Sequence, residues 1–359
     1  MRILALYISR EFLRLLGFLV VGFVSLYSIF DFIEKVDNFQ EAEVPGSAML
    51  SFFILQVPEI TALMVPVAVL MSTVLTLGMM GKRNEIVAIK SSGISVFRFT
   101  LPILLLSLCM TIAVALLNET VIPYTKSKTN FIWEVLVEKR PGQLIHKEKF
   151  WLKGQNSIYR VGFYDPESQS LSDVVYYRFD KEFNLAMRVD ARRARFLGGR
   201  WIFFSGLHQE RLPGGGYAAT VFEERDVDLP ERPGDFTRLA KPSEEMSLAE
   251  LIRHVKKIED EGYDSRRYRV DMQGKVSFPF VCLIMALVGI PLSLMKEKGQ
   301  SLALGVVLGL GVALLYWVSF SYIRSIFGYS GVLPPFVAAW LPNGLFGLLG
   351  LGLFTTIRQ

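Results

Sequence analysis

The chain has 359 residues, 51% of them apolar and only 20% charged, with a formal net charge of +5 and a mean hydropathy of +0.36. A water-soluble chain of this length carries more charge and spreads it more evenly. Here the charges crowd between Glu119 and Lys275, which excludes an ordinary soluble enzyme and argues for a membrane protein with one water-facing domain.

Met1–Arg14 reads as an interfacial helix, with Arg10 and Arg14 on one face and Ile3, Leu4 and Ile8 able to dip into lipid. The apolar run that follows is too long for a cleavable signal peptide and has no small-residue cleavage site after it. A hydrocarbon core about 30 Å thick needs roughly 20 apolar residues to cross it. Six segments qualify: Phe12–Ile33, Phe52–Met79, the stretch between Arg98 and Glu119, that between Lys275 and Lys296, that between Lys298 and Arg324, and Phe336–Ile357. Between the second and third spans lies a short charged loop, Gly81–Gly93. Asn84 suits an N-cap, Glu85 the positive end of a helix dipole, and Gly93 a helix stop. Ile86 and Ile89 are three apart and form an apolar ridge. The loop reads either as an ordinary interfacial connector or as a helix that docks into a groove on a cytoplasmic domain.

Between the third and fourth spans the pattern changes to alternation. Runs at Phe150–Leu152, Ile158–Phe163, Val174–Phe179, Leu185–Phe196, Trp201–Glu210 and Tyr217–Val227 read as strands. Gly154-Gln155-Asn156, Asp165-Pro166, Gly198-Gly199 and Pro213-Gly214-Gly215-Gly216 separate them. Six strands without an interleaved helix predict a sandwich or jelly roll. Its aromatic residues, among them Trp151, Tyr159, Phe163, Tyr176, Phe179, Phe196, Trp201 and Phe203, either fill a core or line a groove for acyl chains. A helix follows, with Ser247 and Glu250 as a capping box and Leu248, Leu251, Ile252, Val255 and Ile258 as its stripe; Gly262 ends it. The fold class is therefore an integral membrane α-helical bundle of six transmembrane helices with an inserted all-β jelly-roll-like domain. The chain divides into an N-terminal membrane half, residues 1–121, a β-domain with its linkers, 122–242, and a C-terminal membrane half, 243–359.

Orientation follows from the short loops. Arg2, Arg10 and Arg14 precede span one; Lys82, Arg83, Lys90 and Arg98 surround the loop after span two; Lys296, Lys298 and Arg358 mark the same side further on. The segment after span one, with Glu34, Lys35, Asp37, Glu41 and Glu43, is net acidic. The positive-inside rule puts both termini in the cytoplasm and the β-domain in the periplasm.

No phosphate-binding loop, nucleophile elbow, His-Glu-x-x-His or paired-cysteine motif occurs. Cys109 and Cys282 both lie in apolar runs, and His146, His208 and His254 are scattered, so neither a disulfide framework nor a metal site is expected. Glu59 and Glu119 sit near the outer ends of their helices rather than at mid-bilayer, where ion-coupled carriers place their carboxylates. Energy is then expected from a partner.

With these residues in hand, the sequence resembles the permease subunits of the lipopolysaccharide exporter, the LptF/LptG family, and within it the G-type branch. The resemblance rests on Phe32–Asp37, Leu77-Gly78-Met79, Asn84-Glu85-Ile86-Val87, Ser92-Gly93, Asn118-Glu119 with Pro123, Trp151-Leu152-Lys153, Tyr268 with Lys275, and Pro334-Pro335 with Leu341-Pro342. Their order on a three-domain-three topology spans nearly the whole chain. It implies a non-catalytic subunit of an ATP-driven exporter, with no cofactor of its own. Its partners would be a second related permease, a dimeric cytoplasmic ATPase that binds ATP and Mg, a bitopic periplasmic jelly-roll protein, and lipopolysaccharide itself; no nucleic acid is involved. It places the chain in the cell inner membrane of a Gram-negative envelope. Glu85 would seat in the ATPase groove with Arg83, Ile86 and Ile89 beside it. Glu34 stands where members of the family have a lysine. Lys35, Lys126, Lys128, Arg266, Arg267 and Arg269 are the expected contacts to anionic headgroups. Acyl chains would enter between span one of this chain and span five of its companion. A non-transporting envelope scaffold and an ion-coupled lipid carrier are the competing readings.

Overall fold

The computed structural model describes residues 2–138, 150–153, 157–165, 168–180, 182–212, 216–227, 229, 233, 242–260, 264–294 and 302–356. The expected turns at 154–156 and 213–215, the tract 139–149, Pro166, Gly262, Lys296, Lys298 and Arg358 lie outside the described residues.

Six helical segments are long and apolar enough to cross a membrane, as the sequence predicts. The first, α1 (Arg2–Glu41), is one unbroken helix. The interfacial stretch expected near the N-terminus therefore runs straight into span one. At 1.5 Å per residue, 40 residues reach about 60 Å, roughly twice the hydrocarbon thickness, so α1 projects well beyond it. Helix α2 (Gly46–Lys82) returns beside it, and the short α3 (Glu85–Ser91) leads into α4 (Val96–Leu116). A π turn at Leu117–Val121 joins α4 to α5 (Ile122–Phe131), and a second π turn carries the helix to Val137. The expected boundary at residue 121 thus falls inside a helix. After the insert come α6 (Leu248–Asp260), α7 (Arg266–Ser277), which passes through a 3-10 turn into α8 (Val281–Leu294), α9 (Leu302–Tyr322) with its terminal π turn Ile323–Gly328, and α10 (Pro335–Thr355).

Helix α2 is the axis of the bundle, buried on nearly every side from Val65 to Met80. One flank meets Phe12 of α1, Phe99 and Ile103 of α4, and Ala286 of α8. The other flank, through Leu70 and Val74, meets Met285 of α8 and Tyr316 and Phe320 of α9. Helices that share one solvent with their surroundings gain by packing and polar contact rather than by hydrophobic transfer. Accordingly Tyr316 donates to Asn343 at 2.6 Å, and the Asn343 amide donates to the Ser277 carbonyl at 2.7 Å.

The insert forms one antiparallel sheet of β1 (Phe150–Lys153), β2 (Ser157–Asp165), β3 (Ser170–Phe179), β4 (Leu185–Leu197), β5 (Arg200–Arg211) and β6 (Tyr217–Val227), in consecutive order. The sequence predicts two packed layers, and the sheet achieves this by bending. The ladder registers place Gly162, Asp173, Arg192, Ser205 and Glu223 in one row across β2 to β6. Asp173 and Ser205 both have positive φ, 52° and 53°, which is uncommon outside glycine and, of these two, better tolerated by Asp. At this row the inward parity switches: Val189 and Ala191 are buried before it and Ala194 after it, Trp201 and Phe203 before it and His208 after it. Both halves therefore face a common core that includes Tyr159, Val161, Leu171, Tyr176, Trp201 and Phe203. Tyr159, Tyr176, Trp201 and Phe203 thus fill a core with Phe196 packed against it, the plainer of the two readings, while the side chains of Trp151 and Phe163 lie outside the described residues. Gly198 and Gly199, both with positive φ, make the tight β4–β5 hairpin as expected.

Candidate functional site

Two polar regions sit at opposite ends of the helical bundle. The first is a cavity of about 410 Å³ bordered by α2, the first π turn, α7 and α9. Asp271 on α7 is buried (4% exposed). It accepts from Arg324 at 2.6 Å, Tyr329 at 2.6 Å and Ser243 at 2.5 Å. The Arg324 Nε is buried and has no hydrogen-bond partner among the described residues. Lys275, one turn beyond Asp271, also lines the cavity and has no ion pair among them. Gly274 sits directly under the Arg324 guanidinium, where a Cβ would stand 3.3 Å from it. Unused cationic donors beside an apolar wall that includes Trp317 and Phe320 suit an anionic group carried on an apolar body.

The basic residues expected to hold headgroups are divided among three places. Lys126 is held by Glu59 at 2.7 Å, with Glu244 at 4.0 Å, on the rim of the same cavity. Arg267 stacks over the Tyr329 ring at 5.2 Å, Arg266 donates to the Ser330 carbonyl, and Arg269 pairs with Glu259. The Arg269 guanidinium and the Ser265 hydroxyl hold the Glu259 carboxyl at about 2. Lys128 is exposed and lies 4.5 Å from the Tyr124 ring. Lys35 is elsewhere, in a box between α1, α2 and the second π turn. Its ammonium meets Asp31 at 2.6 Å and lies 5.3 Å from the Phe52 ring and 5.8 Å from Trp133. With its amide oxygen toward Lys35 (3.2 Å) and its nitrogen toward Asp31 (3.0 Å), Gln56 completes the set. The structure thus engages Lys35 internally, where the resemblance implies a headgroup contact.

Glu119, on the first π turn, crosses to the start of α6. It accepts from the backbone N–H of Leu248 at 2.6 Å and of Ala249 at 3.3 Å. The expected capping box is present beneath it: Ser247 N–H donates to Glu250 at 3.0 Å and Glu250 N–H to Ser247 Oγ at 3.1 Å. Leu251, Val255 and Ile258 of the stripe are buried, whereas Ile252 is 50% exposed. It falls between the inward positions at helical spacing.

The second region is α3. Gly93 (φ 77°) stops this helix in a Schellman arrangement, with Ile94 N–H on the Ile89 carbonyl and Gly93 N–H on that of Lys90. Asn84 adopts the left-handed conformation and makes no side-chain cap, contrary to expectation. Ile86 and Ile89 face inward, into the cluster formed by α1, α2, α4 and α8. They do not form the outward docking ridge that their spacing suggests, because that ridge is what anchors so short a helix to its bundle. Arg83, Asn84, Val87, Ala88 and Ser91 are exposed. Glu85 is partly exposed and accepts from the Tyr7 hydroxyl at 3.1 and 3.2 Å, with Arg83 at 3.8 Å. Tyr7 was invisible to sequence reasoning because it lies 78 residues away.

No group of three or more His, Cys, Asp or Glu among the described residues forms a metal cluster. The sequence profile of the family described as "Lipopolysaccharide export system permease LptF/LptG" matches residues 6–356. The chain is 22% identical to the Escherichia coli K12 "Lipopolysaccharide export system permease protein LptG", with 97% of this chain and 96% of that protein covered. It is 20% identical to the Haemophilus influenzae protein of the same description, with 95% and 94% covered. A match of this extent, over both membrane halves and the insert between them, makes the chain a member of the LptF/LptG family of lipopolysaccharide export permeases.

Proposed function

We propose that this chain is the G-type permease of an ATP-driven inner-membrane exporter, oriented with both termini in the cytoplasm, that lifts lipopolysaccharide from the membrane into a periplasmic bridge. Hydrolysis of ATP with Mg takes place on a separate dimeric ATPase. The observation that carries this reading is the rooting of α3: Ile86 and Ile89 lock it to α1, α2, α4 and α8, while Glu85, Arg83 and Val87 remain available on its outer face. A push on α3 therefore moves the bundle rather than a loose loop. Among the membrane helices with outward apolar faces are α1, through Phe18 (77% exposed) and Val21, and α9, through Leu310, Leu314 and Val318. They suit a companion permease and a lateral entry for acyl chains. The glycolipid's phosphates are held near Lys275 and Arg324, with Lys126, Lys128 and the arginines of α7 around them. Strand β6 lies at an edge of the sheet among the described residues, which suits pairing with a periplasmic jelly-roll partner.

The test is ATP-driven release of lipopolysaccharide from proteoliposomes holding the complete complex. With Glu85→Ala the ATPase is expected to dissociate or release to stop. Full assembly and full release with that variant remove the coupling role.

A further inference from the structure

At the end of the bundle opposite the charged cavity, the first turns of α1 and α4 leave a cleft of about 660 Å³, within the roughly 300–1,000 Å³ of ligand pockets. Its wall is apolar, formed by Leu4, Leu101, Leu105 and Leu106, and its mouth carries Arg2 and Arg98. Neither arginine has an ion-pair partner among the described residues. A cationic mouth over a hydrocarbon wall calls for an anion joined to an apolar chain. An acidic peptide fits poorly, because its backbone polar groups would lie unpaired against hydrocarbon.

We infer that this cleft binds an anionic phospholipid, its phosphate held by Arg2 and Arg98, with one acyl chain laid along Leu101 and Leu105. The bound lipid pins the two helices on either side of α3: α1, which supplies Tyr7 to Glu85, and α4, which follows the Gly93 stop. That the lipid belongs to the cytoplasmic leaflet rests on the orientation proposed above. The site itself does not.

The experiment is native mass spectrometry of the full chain in detergent, titrated with phosphatidylglycerol or with phosphatidylcholine. One phosphatidylglycerol is expected to be retained where phosphatidylcholine is not. Arg2→Gln and Arg98→Gln each weaken retention about fivefold, the gain of one basic side chain at an anionic surface. Arg10→Gln, on the same helix but outside the cleft, leaves retention unchanged. Leu105→Trp fills the half-exposed wall and blocks the adduct without altering charge, which keeps the proposal testable if Arg98→Gln does not fold. Equal retention of the two lipids, an equal loss from Arg10→Gln, or an intact adduct in Leu105→Trp each overturn the proposal. Labelling of Ser91→Cys in intact cells with an impermeant thiol reagent reads the orientation separately. Labelling from outside would reassign the leaflet and leave the site standing.

Discussion

Asp271→Ala is the substitution whose cost the structure defines most sharply. The carboxylate is 4% exposed and receives Arg324, Tyr329 and Ser243 at 2.5–2.6 Å. Removing one partner of a buried ion pair costs about 3–5 kcal/mol, mostly because the other charge is stranded. The Arg324 side chain keeps 27% exposure, so water recovers part of that loss and about 2–3 kcal/mol remains. At roughly 2 °C per kcal/mol or somewhat more, the thermal midpoint of the full chain in detergent falls by about 4–8 °C. Asp271→Asn keeps the shape and one acceptor oxygen and falls less. The decisive measurement is the double variant Asp271→Ala with Arg324→Ala. It removes the stranded charge, and its midpoint recovers above that of Asp271→Ala alone. Additivity of the two single changes within about 0.5 kcal/mol would refute the reasoning, because the pair would then be two independent surface-like contacts.

Glu119→Gln weakens the cap on α6 by about 1 kcal/mol while leaving the Ser247–Glu250 box intact. Hydrogen exchange at Leu248–Leu251 is expected to speed up about fivefold, and unchanged exchange removes the cap's role. Burial first, and then Arg225 and Arg178 against the opposing Glu210, push the His208 imidazole below its ordinary 6.5. The native sheet therefore binds that proton less readily than the unfolded chain. Its contribution is complete above about pH 6.5 and is lost as pH falls below that value toward the depressed one. His208→Asn flattens this slope as read by amide exchange of β4 and β5 in the full chain, and an unchanged slope counts against it. At Gly206 a Cβ would stand 2.0 Å from the Asp190 carbonyl oxygen and 2.7 Å from the Phe222 ring. Gly206→Ala is expected to strip amide protection from β4 and β5 while the helical bundle keeps its own, and retained protection of both strands would contradict the geometry.

Hydropathy alone makes the six spans legible, since an uncharged apolar run of about 20 residues matches the hydrocarbon thickness and is rarely tolerated in water. The insert is legible through its period of two and its Gly-Gly hairpin. Its bend is not, because Ser205 carries no compositional mark of the left-handed backbone it adopts and Asp173, though of a tolerant type, sits within a strand pattern. Two polar residues near the charged cavity are placed poorly by counting at 3.6 residues per turn: Glu119 and Arg324 both lie on π turns, and a π turn shifts the phase of the side chains around it. At α3 the spacing of Ile86 and Ile89 gives a face but not its direction. Val87 offers an aliphatic alternative on the other side, and only the tertiary core decides between them.

The two polar regions are joined by packing around α2. Ile86 and Ile89 share a cluster with Leu77 and Met80 at the cytoplasmic end of that helix in the proposed orientation. Leu70 and Val74, a turn or two further along, pack with Tyr316 and Phe320 of α9, and Phe320 lines the charged cavity. Close-packed side chains transmit strain because they have little room to absorb it. Packing alone supplies stiffness, however, and a switch also needs an element with two arrangements that both ends bias. The π turns of α4 and α9 are the elements expected to switch, the first held by the Glu119 carboxylate on the Leu248 and Ala249 N–H groups and the second by the Arg324–Asp271 ion pair. Conversion of either turn to α geometry would rotate the residues beyond it and break its contact. Glu119→Gln and Asp271→Ala should therefore change how readily α3 and the cavity respond to each other, as well as the local stability. A bundle that unfolds more easily yet couples ATP to release as efficiently as before would show that the turns are braces and not hinges.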